Sequence, residues 1–99
     1  IRQAAALHSQ GEVIYWSYGN SEPPRAKKMA EIMSTSSGYA LDVPVGIADG
    51  GGFKDWFITE FRRPGFTIEL GTGKNPLPAA DAEKIYMRVR KMLMLFIMM

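Results

Sequence analysis

The sequence has no cysteine and one histidine, His8. The missing thiols exclude disulfides and thiolate metal sites. Charge of one sign is also scarce: twelve Lys and Arg stand against ten Asp and Glu, for a net charge of +2. That is too little to imply nucleic acid or an anionic membrane as partner. No hydrophobic run approaches the roughly 20 residues of a membrane span. The longest, Met92 to Met99, is eight apolar residues without a polar stop. It reads as the end of a buried helix. The opening Ile1-Arg2-Gln3-Ala4-Ala5-Ala6-Leu7 reads as the interior of a structure already under way. Both ends lead to the expectation of one piece, residues 1–99, of a longer catalytic domain. The composition is that of a globular chain, 46% hydrophobic and 22% charged, and disorder is not expected. With 99 residues, such a domain buries only about 60–65% of its extended surface.

Gln3 to Leu7 is short, apolar and rich in small residues, which suits a buried parallel strand or a helix turn, and the polar, turn-like His8-Ser9-Gln10-Gly11 after it favours the strand. Glu12 to Tyr18 is β-branched and aromatic, which suits a second extended segment. Ser21-Glu22-Pro23-Pro24 predicts a helix start, with Ser21 as cap. Ala26, Met29, Ala30 and Met33 then recur at helical spacing, and Gly38 suits the left-handed end position. Tyr39 to Phe53 is rich in glycine and reads as a long loop. Asp55 to Phe61 predicts a short helix stopped by Pro64-Gly65. Phe66-Thr67-Ile68-Glu69-Leu70 alternates strictly and predicts a strand. The last helix runs from Pro78 to about Met98. This alternation predicts an α/β architecture with a partial, mainly parallel or mixed sheet and flanking helices.

Two residues stand where such sheets bind ligands, at the carboxyl ends of strands. His8 follows the first strand, and a neutral imidazole there is a good zinc ligand. The alternative is a partly buried structural histidine. Glu69 shares a strand face with Thr67, opposite Phe66, Ile68 and Leu70. A carboxylate at that strand end suits a general base, and the alternative is a surface glutamate on an edge strand. Gly71-Thr72-Gly73-Lys74 lacks the length and the following Ser or Thr of a phosphate loop. Arg88, Arg90 and Lys91 of the last helix read as a solvated face.

Three segments, in order, cover nearly the whole chain and resemble the zinc carboxypeptidases. Leu7-His8-Ser9-Gln10-Gly11-Glu12-Val13-Ile14-Tyr15-Trp16 is similar to the segment supplying the third metal ligand. Gly50-Gly51-Gly52-Phe53-Lys54-Asp55-Trp56 resembles the segment lining the specificity pocket. Phe66-Thr67-Ile68-Glu69-Leu70 resembles the strand bearing the catalytic glutamate, and the interval from Asp55 to Glu69 is similar to the family's. The wording of the first segment resembles bacterial members, the γ-D-glutamyl-meso-diaminopimelate peptidases of cell-wall turnover.

The resemblance implies a zinc cofactor held in part by His8. It implies Glu69 as the base that activates the attacking water and the acid that protonates the leaving amine. Lys54 would face the side chain that follows the cleaved bond and suit an acidic group there; the alternative is an exposed lysine before a short helix. The implied partner is a peptide, a cell-wall muropeptide, in a bacterial cytoplasm, envelope or spore. The sequence also departs from the family. It has no His-x-x-Glu, which supplies the first two ligands, and no counterpart of the arginines that hold a substrate carboxylate. Ile47 stands where the family has a lid tyrosine, with Tyr39 in the same loop. That pattern is compatible with an endopeptidase, and one histidine leaves the isolated chain inert. The non-enzymatic alternative is a peptide- or protein-binding module, or a pseudo-enzyme, with an exposed sheet edge that promotes self-association.

Overall fold

The computed structural model describes residues 1–42 and 52–99. Strand β1 (Ala4–His8) leads into β2 (Val13–Tyr15), helix α1 (Ala26–Ser37), strand β3 (Ala40–Asp42), helix α2 (Phe53–Phe61), strand β4 (Gly65–Glu69) and helix α3 (Ala82–Met98). A single 3-10 turn, Ala79–Asp81, precedes α3. The strands form one mixed sheet in the order β1-β4-β2-β3. β1 runs parallel to β4 and β2 parallel to β3, while β2 and β4 are antiparallel. The architecture is α/β, as the alternation of segments predicts.

The pleat assigns the two faces. Successive residues of a strand point to opposite sides of the sheet. Ile14, Phe66 and Ile68 point to one side and are fully buried with Met29, Ala30 and Met33 of α1 and Val89 and Met92 of α3. His8, Tyr15, Thr67 and Glu69 follow the opposite phase of their strands. The helices therefore lie on both faces: α1 and α3 pack together over the apolar side, and α2 packs on β4 and β1. Gly65 permits the close approach of α2. A Cβ there would meet Phe57 at 3.1 Å and Ile58 at 3.3 Å.

The structure corrects two local expectations. Ser21 does not cap α1; it bridges Tyr18 through paired backbone hydrogen bonds. The helix starts only at Ala26, because a residue preceding proline is driven out of the helical region and Glu22 and Pro23 both do so. The segment after Gly38 is not loop throughout, since Ala40–Asp42 pairs with β2. Arg88 is exposed, as a solvated face requires, and it is also held in place. Its Nε donates to the Ser37 carbonyl at 2.9 Å, it pairs with Glu12, and it lies over the Tyr39 ring. It thereby satisfies a terminal carbonyl of α1.

Candidate functional site

β1 and β4 end side by side, with Ala4 opposite Gly65 and His8 opposite Glu69. Adjacent strands lie about 4.8 Å apart, and residues opposite each other point to the same face. His8 and Glu69 are thus neighbours at the carboxyl end of a parallel pair. Local contacts fix this end. The His8 carbonyl accepts from the Leu70 N–H at 2.7 Å, and the Gly11 N–H donates to the Gly71 carbonyl at 2.7 Å. Ser9 Oγ donates to Asn75 Oδ1 at 2.8 Å, and Asn75 Nδ2 donates to the Ser9 carbonyl. The loops after the two strands are therefore tied together directly beside the two candidate residues.

A cavity of about 250 Å³ opens over this strand end, lined by His8, Tyr15, Thr67 and Glu69 from the sheet and by Gly52 to Asp55 from the start of α2. All three residues singled out from the sequence, His8, Lys54 and Glu69, line it. His8 is exposed and Glu69 half-buried. The antiparallel partners Tyr15 and Thr67 add two hydroxyl groups that the sequence reading did not single out. The signal for Thr67 was present, since it shares the alternation of Glu69.

Lys54 is only 3% exposed, so the reading of an exposed lysine before a short helix does not hold. Its ammonium forms an ion pair with Asp55, itself 4% exposed, and donates to the Ser17 carbonyl at 2.5 Å. The Tyr18 ring lies 5.9 Å from the Nζ. A buried ammonium needs such partners, because an unpaired one would be costly to remove from water. Sequence reasoning named the lysine and missed the carboxylate beside it.

Tyr39 lies away from this cavity, in the core beneath α3. Its hydroxyl accepts from the Gly71 N–H at 3.3 Å. Burial raises its pKa above the ordinary value, and the nearby Glu12 charge adds to this, while the Gly71 hydrogen bond and Arg88 act in the opposite sense. Ile47, at the lid position implied by the resemblance, lies outside the described residues.

Eighty-two residues of this sequence are 51% identical to gamma-D-glutamyl-L-diamino acid endopeptidase 1 of Lysinibacillus sphaericus, a match covering 82% of this chain and 20% of that protein. Over 81 residues the chain is 41% identical to the uncharacterized protein YqgT of Bacillus subtilis (strain 168), which covers 82% of this chain and 22% of that protein. The chain thus spans about a fifth of the length of the curated relatives it matches. No protein-family model matches it.

The metal donors fit a zinc site only in part. Among the described residues no group of three His, Asp or Glu side chains converges to hold a metal ion. His8 brings one imidazole to the cavity, whereas catalytic zinc sites use three protein ligands.

Proposed function

We propose that these residues are the C-terminal part of a zinc-dependent peptidase that hydrolyses γ-D-glutamyl–diamino acid bonds in cell-wall peptides. The observation that supports this reading is the pairing of His8 with Glu69 at adjacent strand ends, over a cavity that Lys54 also lines. The name of the Lysinibacillus relative gives the bond type.

In this reading His8 is one of three zinc ligands, and the other two come from outside these residues. Zinc, when bound, polarises the scissile carbonyl. Glu69 takes the proton of the attacking water and returns it to the leaving amine, which requires a carboxylate within hydrogen-bond reach of both. Half-burial limits competition from bulk water at that carboxylate. Lys54 attracts a carboxylate on the residue that follows the cleaved bond. The isolated chain is inert because its ligand set is incomplete.

The test is hydrolysis of a γ-D-glutamyl-meso-diaminopimelate peptide by the whole protein, with and without 1,10-phenanthroline. Release of the amine product, abolished by the chelator and restored by added zinc, is the expected result. Hydrolysis indifferent to the chelator would remove zinc from the reading. No hydrolysis would favour the second reading, a non-catalytic peptide- or protein-binding module, for which the outer edge of β1 offers a pairing surface.

A further inference from the structure

The turn after β4 is clamped from two sides. Gly71, just past Glu69 and Leu70, is buried and takes a φ of 69°. A Cβ there would meet Ile85 at 2.8 Å and Leu77 at 2.9 Å, so glycine lets the turn press against Leu77 and α3. Its carbonyl accepts from the Gly11 N–H at 2.7 Å, on the loop that follows His8. Its N–H donates to the Tyr39 hydroxyl at 3.3 Å. A buried amide needs an acceptor, and among the described residues a side chain supplies this one.

Tyr39 is itself held on all sides. Its N–H donates to Ser37 Oγ at 3.1 Å, and its carbonyl accepts from Ser34 Oγ at 2.6 Å. The residue is 1% exposed. The Arg88 guanidinium lies 5.3 Å from the ring centroid, and Arg88 is fixed in turn by Glu12 and the Ser37 carbonyl. The hydroxyl therefore stands where α1 and α3 put it, independently of the strand end that it holds.

We infer that Tyr39 is a positioning residue for Glu69: by holding the Gly71 N–H, it fixes where β4 ends relative to His8. The last rung between the two strands is the Leu70 N–H on the His8 carbonyl. Past that rung a strand end opens locally unless something holds it. The Gly11 bond belongs to the loop after His8, so it ties the two strand ends to each other but not to the body of the fold. Tyr39 supplies that anchorage. Glu69 lies against the clamp, since a Cβ on Gly11 would stand 3.7 Å from the Glu69 Cβ. The inference rests on the peptidase reading for the task of Glu69. It adds a residue that lies outside the cavity and acts only through the backbone of Gly71.

Two measurements on Tyr39→Phe, which keeps the ring and removes the acceptor, test this in the whole protein. The first is amide hydrogen exchange. The Leu70 and Gly11 amides should exchange about fivefold to tenfold faster, the worth of one hydrogen bond, while Phe66 to Ile68 keep their rates. The second is cleavage of a γ-D-glutamyl-meso-diaminopimelate peptide. There kcat should fall by about tenfold to a hundredfold, as for a small displacement of the reacting groups, with KM unchanged. A tyrosine that only stabilised the fold would speed exchange across the whole sheet alike and leave kcat as it was.

Unchanged rates at Leu70 and Gly11 would overturn the inference, and so would a uniform rise across the sheet. An unaltered kcat, where the wild type cleaves the peptide, would overturn it as well. If the wild type cleaves nothing, the peptidase reading fails by itself, and the exchange pattern alone decides whether Tyr39 holds the strand end. Should Tyr39→Phe not fold, Arg88→Met takes its place. Arg88 is exposed, so its loss frees the Tyr39 ring without emptying the core. Faster exchange confined to Leu70 and Gly11 in that variant supports the inference, and its absence overturns it.

Discussion

Glu69 sits opposite His8 in the ladder that joins β4 to β1, both at the carboxyl ends of their strands. The register places an imidazole and a carboxylate on one face, separated by a single strand spacing of about 4.8 Å between backbones. A reacting water held near the imidazole is then within reach of the carboxylate. Glu69→Gln keeps the shape and removes the proton acceptor. In the whole protein it should lower kcat by about 10²- to 10⁴-fold with little change in KM. Steady-state kinetics check this, and a loss confined to KM would make Glu69 a binding residue instead.

One imidazole does not make a zinc site. Calorimetric titration of the 99-residue chain with zinc should therefore show weak binding or none, and His8→Ala should change little. Tight binding that disappears in His8→Ala would mean that a second copy, or residues outside those described, supplies the missing donors. The view of the isolated chain as inert would then be wrong.

The helices, strands and apolar faces were legible because their periods are strong. Ala26, Met29, Ala30 and Met33 keep the helical spacing and are all buried, and Phe66 to Glu69 keep the period of two. β3 was not legible, since three residues carry no usable pattern and only the pairing with β2 defines them. The start of α1 was misplaced because the capping signal at Ser21 competed with the two prolines after it, and the prolines decided. At the site, strand-end position pointed to His8 and Glu69, while the antiparallel pairing of β2 with β4, which brings Tyr15 beside Thr67, is a tertiary fact. The ion pair of Lys54 with Asp55 was hidden for another reason. Side chains of consecutive helical residues do not ordinarily face each other, so adjacency in sequence gave no cause to join them.

Tyr39 predicts a pH dependence at the alkaline end. Its pKa is raised in the folded protein, chiefly by burial, so the folded state holds the phenolic proton more tightly than the unfolded chain. The stability it contributes is fully present below the unfolded value, about pH 10, and is lost as pH rises toward the folded value. Urea denaturation across pH 9 to 11 should show stability falling with pH above about 10. Tyr39→Phe cannot ionise and should fall less steeply. Parallel profiles for the two proteins would assign the alkaline loss to other groups.

The last prediction concerns the outer edge of β1. Ala4 N–H donates to Pro64 and the His8 carbonyl accepts from Leu70, so the even-numbered residues of β1 face β4. In a parallel ladder the intervening residues turn their amide and carbonyl groups the other way. Ala5 and Leu7 therefore present backbone groups to a side that no strand among the described residues covers. The Leu7 side chain is half exposed, and apolar Tyr86, Leu70 and Leu77 border a hollow beside it. An unpaired edge flanked by apolar surface is a template for another strand, so the 99-residue chain should self-associate as its concentration rises. A lysine at the edge opposes that pairing without touching the β4 side. Sedimentation velocity should show Leu7→Lys shifted toward monomer, with its circular dichroism unchanged. A chain that stays monomeric at all concentrations, or one whose association ignores Leu7→Lys, would mean that this edge is not what brings copies together.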